Sequence, residues 1–479
     1  MTLATKLPSA GTIAAALAGA AIVIAALVVL MRRHEDAFPL LAVFALPFRV
    51  PISADGRTVN LLVPLYLVVA AGAVAHLLPE LLALLRQRGG PARDGPAIPA
   101  ATAPRSPREL AFWGSPTGLQ WLLGASVALY AVQALYSSDA AKAGENLLFF
   151  YVPFGLLFVL LCRVRWTPQL LLRCLGIAVA EAVLFAGLGF IEYARKSLFL
   201  NPKVVAANQF DNYFRVNSVF FDPSIYGRFL ALVMIAVCTV VLWSSQRRVV
   251  LGGAAVLAWL LAGLVTSFSQ SSVAALLLGL AVLSGWRYSV RATLLTGLAV
   301  LALAGAVLLA APTSVHFGLK GSGGSTSNAT SGRSTLVEEG LKLFAKRPLE
   351  GYGSGSFETE YRRVSQTTNQ TAVSASHTIP VTVSAEQGLI GLAVYAALLA
   401  SAFAVLFRGA GRSPPRIALA ACLAALVLHT WTYADFLEDP FTWTILALGV
   451  ALARADAPAR EPAQAGAAEA AGAAQPSSV

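Results

Sequence analysis

The stretch SIYGRFLALVMIAVCTVVLW, Ser224 to Trp243, decides the fold. It is almost wholly apolar and carries one charge, Arg228, near its start. A helix rises about 1.5 Å per residue, so about 20 such residues cross a hydrocarbon core of about 30 Å. Arg247 and Arg248 follow, then further apolar runs at 248–267 and 270–286. Working outward, comparable runs lie near 11–31, 37–51, 60–85, 117–136, 145–162, 168–190, 291–312, 386–408, 415–433 and 440–453. The run at 37–51 contains Pro39, Pro47 and Pro51, so it reads as broken or only partly inserted. The whole chain of 479 residues is 57% hydrophobic and only 12% charged, with a mean hydropathy of +0.69. A soluble fold cannot hide that much apolar surface. The composition therefore predicts an all-α integral membrane protein with about 12–13 transmembrane helices.

Net charge is +11 and the pI is about 9.7. Most of the excess sits in short loops between apolar runs, which reads as the positive-inside bias rather than as nucleic-acid binding. The clusters are Arg32/Arg33, the Pro/Gly/Ala-rich linker from Arg86 to Arg108, Arg163/Arg165, Arg247/Arg248, Arg287/Arg291 and Arg408/Arg412/Arg416. Every second loop carries one. If these face the cytoplasm, loops 137–144, 191–223, 313–385 and 434–439 face outward. Thirteen spans then leave the N-terminus outside and the C-terminus inside; twelve follow if the proline-rich run does not cross. Residues 1–455 form the polytopic domain, and the Ala/Pro/Glu/Gln-rich tail 456–479 reads as disordered. The first apolar run continues into Met31-Arg32-Arg33 without a small-residue exit site and reads as a retained span. Cys162, Cys174, Cys238 and Cys422 show no CxxC spacing and read as apolar filler.

Spans need only be apolar, so chemistry is sought in loops 191–223 and 313–385. In the second, Ser334 to Lys346 reads as an amphipathic helix stopped by Pro348. His377, in Ser-Ala-Ser-His-Thr-Ile-Pro, lies just before a span. With an unperturbed pKa near 6.5 it can accept a proton at neutral pH; taken alone, it reads first as a solvated loop histidine. His429, close to Asp435, reads as helix packing first and as part of a polar network second. No HExxH or His/Cys/carboxylate set supports metal catalysis. Arg215, Arg228 and Arg333 belong to the outward side, and Arg228 stands inside an apolar run, where a charge is costly. Guanidinium forks match phosphate oxygens. Each alone also reads as half of a salt bridge, with Asp211, Asp222 or Glu386 as candidate partners. Ser267 to Ser272 reads as a polar turn between two helices.

Together these segments resemble the O-antigen ligases and related Wzy-like polysaccharide polymerases. His377-Thr378, nine residues, then Gly388-x-x-Gly391 resembles that family's motif. Gly332-Arg333 with Arg347-Pro-Leu-Glu-Gly-Tyr-Gly-Ser-Gly-Ser-Phe357 resembles the segment before it, and Arg215 with Phe221-Asp-Pro-Ser-Ile-Tyr-Gly227 resembles the other outside loop. The resemblance runs from about Arg215 to Trp443. It implies a GT-C-like helical fold in the bacterial inner membrane, and transfer from an undecaprenyl diphosphate-linked glycan donor to a glycan or glycolipid acceptor. It implies His377 as base, Arg215 and Arg333 on the diphosphate with Arg228 beside them, and Thr378, Glu386, Gly388 and Gly391 in support. It also implies metal-independent chemistry with no cofactor and no nucleic-acid partner. The chain departs from the family pattern at Gln270, where arginine is common, at Thr378, where Asn, Ser or Gln is usual, and at Val337, where an aromatic is frequent. Ligase and polymerase share donor chemistry and are not separable from sequence. A transporter of lipid-linked sugars would also want arginines, but the Ala/Leu/Val/Gly spans argue against a wide aqueous path.

Overall fold

The computed structural model describes residues 10–54, 57–88, 112–199, 214–295, 297, 333–365, 376 and 378–456. The helices are α1 Ala10–Arg33, α2 Ala37–Ala45, α3 Val63–Gly72 continued through a π-helical turn into α4 Leu78–Arg88, and α5 Pro116–Ala134. Next come α6 Ala140–Asn146, running through a second π-turn into α7 Val152–Leu161, then α8 Pro168–Arg195, α9 Pro223–Trp243, α10 Arg247–Thr266 and α11 Gln270–Arg287. The large loop contributes α12 Arg333–Lys346 and α13 Phe357–Ser365, and the chain closes with α14 Ile379–Phe407, α15 Pro414–Thr432 and α16 Pro440–Ala455. An antiparallel hairpin, β1 Val50–Ala54 paired with β2 Arg57–Leu61, is the sole strand structure among the described residues.

The starts of these helices obey a local rule. Ser115, Thr167, Asp222 and Asp439 each precede a proline, and each side chain accepts a hydrogen bond from a first-turn amide. The distances run from 2.6 Å (Ser224 N to Asp222) to 3.2 Å (Leu170 N to Thr167). The cap satisfies an orphan donor, and proline at the first helical position lacks an amide that would need one.

Among the described residues, eight helical segments are long and apolar enough to cross a membrane, and the protein is an all-α integral membrane protein. The expected runs and the helices largely coincide, with two adjustments. The run at 37–51 is a nine-residue helix that ends at Ala45, followed by a turn and strand β1. Pro39 fits its first turn, whereas Pro47 lacks the amide a continuing helix would need. The span after loop 313–385 begins at Ile379, upstream of the expected residue 386. The run at 291–312 lies mostly outside the described residues.

Centre and periphery divide by burial. α9 has 72% of its apolar stretch buried and α15 67%, against 6% for α1 and 17% for α10. α9 packs on α10, α11 and α15, and α11 runs along α15. Apolar side chains gain little by leaving lipid for protein, so helices approach through small residues. A Cβ at Gly279 would stand 2.2 Å from Ile235 Cδ1, one at Gly263 2.9 Å from Ala186 Cβ, and one at Gly449 2.7 Å from Leu406 Cδ1. These contacts close α11 on α9, α10 on α8 and α16 on α14.

The two ends of the bundle differ in chemistry. At one, Arg163 pairs with Glu80, Arg173 with Asp36, and Arg416 with Asp456. At the other, Ser137 meets Ser354, Arg215 meets Ser267, and Arg228 meets Asp439. Arg215, Arg228 and Glu386 lie there.

Candidate active site

The polar end is built around three buried carboxylates, Asp439, Glu192 and Glu386, and the residues that reach them. Asp439 caps α16 and faces Arg228, one turn into α9. Arg228 Nη2 stands 3.0 Å from Asp439 Oδ2, and the side chains are 1% and 0% exposed. Arg228 Nη1 donates to the Ala434 carbonyl at 3.4 Å. The partner of Arg228 is thus Asp439, not Asp211, Asp222 or Glu386. Arg49, just beyond the short α2, lays its guanidinium over the Phe221 ring at 5.0 Å and feels the charges of Asp435, Asp439 and Arg228. Burial raises the Asp439 carboxyl above its usual range, against the pull of Arg228 and Arg49. Glu438 next to it is pushed up to about 8, first by burial and then by the negative charge of Asp435. It accepts from Asn146 Nδ2 at 3.0 Å, and Asn146 also donates to the Tyr130 hydroxyl at 2.9 Å.

Arg215 reaches the same end through loop 191–223. Glu192, at the close of α8, accepts from the amides of Phe199, Asn217 and Ser218 at 3.0, 3.2 and 2.7 Å. Those bonds fold the returning strand of the loop onto the bundle. Arg215 Nε then donates to the Ser267 carbonyl at 3.2 Å, and Val216 N to the Thr266 carbonyl at 3.2 Å. Both carbonyls end α10 and have no partner within that helix.

The glycine motif has a structural basis. Gly388 interrupts α14 with φ 64° and ψ −161°, a region open essentially to glycine alone. A Cβ there would stand 2.2 Å from the Leu349 carbonyl oxygen. The break frees the backbone to bond outward: Leu389 N donates to Pro348 O at 2.7 Å, and the Glu386 carbonyl accepts from Gly353 N at 2.8 Å. The Glu386 side chain, also buried, accepts from Gly355 N at 2.9 Å and Phe357 N at 3.0 Å, which caps α13. Gly391 leaves room for Gln387, whose Cβ would be 2.1 Å from an added methyl. On its far side the Gly351–Gly355 turn packs on the α5–α6 turn, where Ser137 Oγ donates to Ser354 O at 2.7 Å. Segment 347–357 is therefore clamped between α14 and the α5–α6 turn, with Glu386 as the clasp.

Thr378 starts α14, and its carbonyl accepts from Val381 N and Thr382 N. Ser376 is buried and bonded to Thr378 and to Thr382 Oγ1 at 2.8 Å, so both neighbours of position 377 are tied to the helix start. His377 itself lies outside the described residues. Arg333 opens α12, and its side chain lies outside them as well. Gln270 opens α11.

His429 reads from sequence as helix packing, and the structure gives it polar partners. Its Nε2 lies 3.2 Å from Ser272 Oγ and 3.4 Å from Ser271 Oγ. Asp439, Asn146 and Arg49 are absent from the sequence-based candidates. The Asp-Pro pair at 439–440 is a visible capping signal; Arg49 carries none, because only the fold brings it to Phe221.

This is a polytopic membrane protein whose polar machinery is concentrated at one end of its helical bundle. Residues 255–396 match the family model of the O-antigen ligase, and over that region the chain carries an O-antigen ligase domain, as its motifs resemble. The match supports a ligase- or polymerase-type membrane glycosyltransferase. It takes in most of α10, then α11, the large loop and α14 as far as Ala396. No curated protein matches the chain.

Proposed function

We propose that the protein transfers a glycan from an undecaprenyl diphosphate-linked donor to an acceptor hydroxyl, at the extracytoplasmic face of a bacterial inner membrane. The observation that carries this reading is the docking of the domain's motif: Glu386 and Gly388 hold segment 347–357 at the end of the bundle that carries Arg215. The N-termini of α9, α11 and α16 also meet there, and their partial positive charge suits a diphosphate.

In this mechanism the leaving group is already a diphosphate and needs no strong acid. Arg215 and Arg333 neutralise the charge that grows on it. Arg228, held by Asp439, shapes that wall and contributes field rather than a direct contact. His377 removes the acceptor's proton as its oxygen attacks the anomeric carbon. The bond from that carbon to the diphosphate oxygen breaks, and direct displacement inverts the centre. The apolar helices hold the polyprenyl chain. No step requires a metal.

Transfer from a purified undecaprenyl diphosphate-linked glycan in detergent, with EDTA present, tests the reading. The intact protein transfers glycan, and His377→Ala falls by at least about 100-fold, within the range removed with a general base. Equal transfer by both proteins would dismiss His377 as the base. Absence of transfer by either, over several donors and acceptors, would favour a transporter. The linkage in the isolated product separates a ligase from a polymerase.

A further inference from the structure

The turn between α10 and α11 is short, yet Ser267, Ser269, Ser271 and Ser272 are all buried in it. Their hydroxyls account for one another. Ser267 Oγ donates to Leu264 O at 2.6 Å and accepts from Ser269 N at 3.3 Å. Ser269 Oγ accepts from Ser272 N at 3.3 Å and lies 2.8 Å from Ser272 Oγ. Ser272 Oγ gives its single proton to the Ser224 carbonyl at 3.1 Å. Toward His429 Nε2, 3.2 Å away, it can then only accept. The proton on that contact therefore belongs to the imidazole.

His429, fully buried, thus joins three helices: α15 by its own backbone, α11 through Ser272, and α9 through Ser224. Gly227 seals the arrangement, because a Cβ there would stand 2.7 Å from Ser272 Oγ and 3.1 Å from Ser267 Oγ. The serine turn anchored in this way is the one whose carbonyls, at Thr266 and Ser267, hold Val216 N and Arg215 Nε. No solvent reaches His429, so it has no route to substrate.

We propose that His429 is a positioning residue: its Nε2–H fixes the 266–272 turn through Ser272, and the turn sets the direction of the Arg215 guanidinium toward the donor diphosphate. The inference rests on the assignment of Arg215 to that diphosphate. The imidazole delivers a hydrogen-bond donor at a fixed reach, and a glutamine amide can deliver one at a similar reach.

The test is a kinetic cycle on the full-length protein in detergent, with an undecaprenyl diphosphate-linked glycan as varied substrate. His429→Leu raises the donor KM about tenfold, the order expected for disturbing one charge-assisted contact, with kcat changed far less. Ser272→Ala moves KM the same way, and His429→Gln restores most of the loss. In an Arg215→Gln background, His429→Leu adds nothing further, because the contact it serves is already gone. Additive losses in the double variant would overturn the inference, as would a fall in kcat at unchanged KM. An Arg215→Gln protein with unaltered donor KM would instead overturn the assignment of Arg215, a separate failure. Should His429→Leu not fold, Ser272→Ala and His429→Gln carry the same comparison.

Discussion

Arg228 and Asp439 are both withdrawn from water, and their mutual neutralisation sets the cost of removing either. Two buried charges in contact roughly balance their own desolvation, whereas one left alone does not. Arg228→Met is expected to cost about 3–5 kcal/mol, read as a large drop in thermal unfolding temperature in detergent. Adding Asp439→Asn should recover a substantial part, since no lone carboxylate then remains; a double variant as unstable as the single one would contradict this account of the pair. Glu438 behaves differently. Its carboxyl titrates at about 8 in the folded chain against an ordinary 4.5. The folded state therefore holds that proton more tightly than the unfolded one. Stability from this group is complete below about pH 4.5 and declines as pH rises toward about 8. Glu438→Gln keeps an acceptor for Asn146 and should flatten the decline, visible in unfolding temperatures recorded from pH 5 to 9. Sequence alone marks Arg228 as costly, because a charge in an apolar run is conspicuous. It does not reveal the partner, which arrives on α16 from the far end of the chain.

At the scale of elements, α14 is the informative case. The apolar pattern predicts a span from 386, and the helix begins at Ile379 and breaks at Gly388. Hydropathy locates the membrane stretch, but no periodicity marks a break whose cause is the Leu349 carbonyl pressing on residue 388. The Gly388-x-x-Gly391 spacing is visible in sequence only as a resemblance, and its physical meaning needs the loop beside it. Gly388→Ala is expected to cost at least about 3 kcal/mol, from strain at positive φ together with the carbonyl clash. Released from α14, segment 347–365 should become a preferred site for limited proteolysis; an unchanged digestion pattern would count against the clamp. The amphipathic helix expected at 334–346 is present as α12, since its apolar residues have α14 and α13 to face. The short α2 is half legible. Pro39 and Pro47 announce an interruption, but not that a β-hairpin comes next.

For the molecule as a whole, alternation of arginine-bearing loops predicts which loops share an end. Charge distribution carries that information in a membrane protein because every second loop must return to the same side. Its consequence is directly measurable. In a variant freed of Cys162, Cys174, Cys238 and Cys422, a cysteine placed at Ser138 should react with an impermeant thiol reagent from outside intact spheroplasts. One placed at Arg165 should react only after the membrane is opened. Reactivity of both from one side would contradict the proposed orientation. Charge alternation cannot supply the arrangement within the polar end, where Arg49, Asn146 and the pair His429 and Asp439 come from three distant parts of the chain.

The clasp formed by Glu386 also bears on how the large loop can be exchanged with that of another chain of the family. A chimera cut at the start of α14 would separate the carboxylate from the Gly355 and Phe357 amides it serves, leaving two buried donors with a stranger. A junction placed after Gly391 would move lock and key as one piece. Even that piece would still meet a host surface at Ser137, where a Cβ on Gly353 would stand 2.3 Å from the Cα. The transferable module is therefore discontinuous: residues 333–391 together with the α5–α6 turn that receives them.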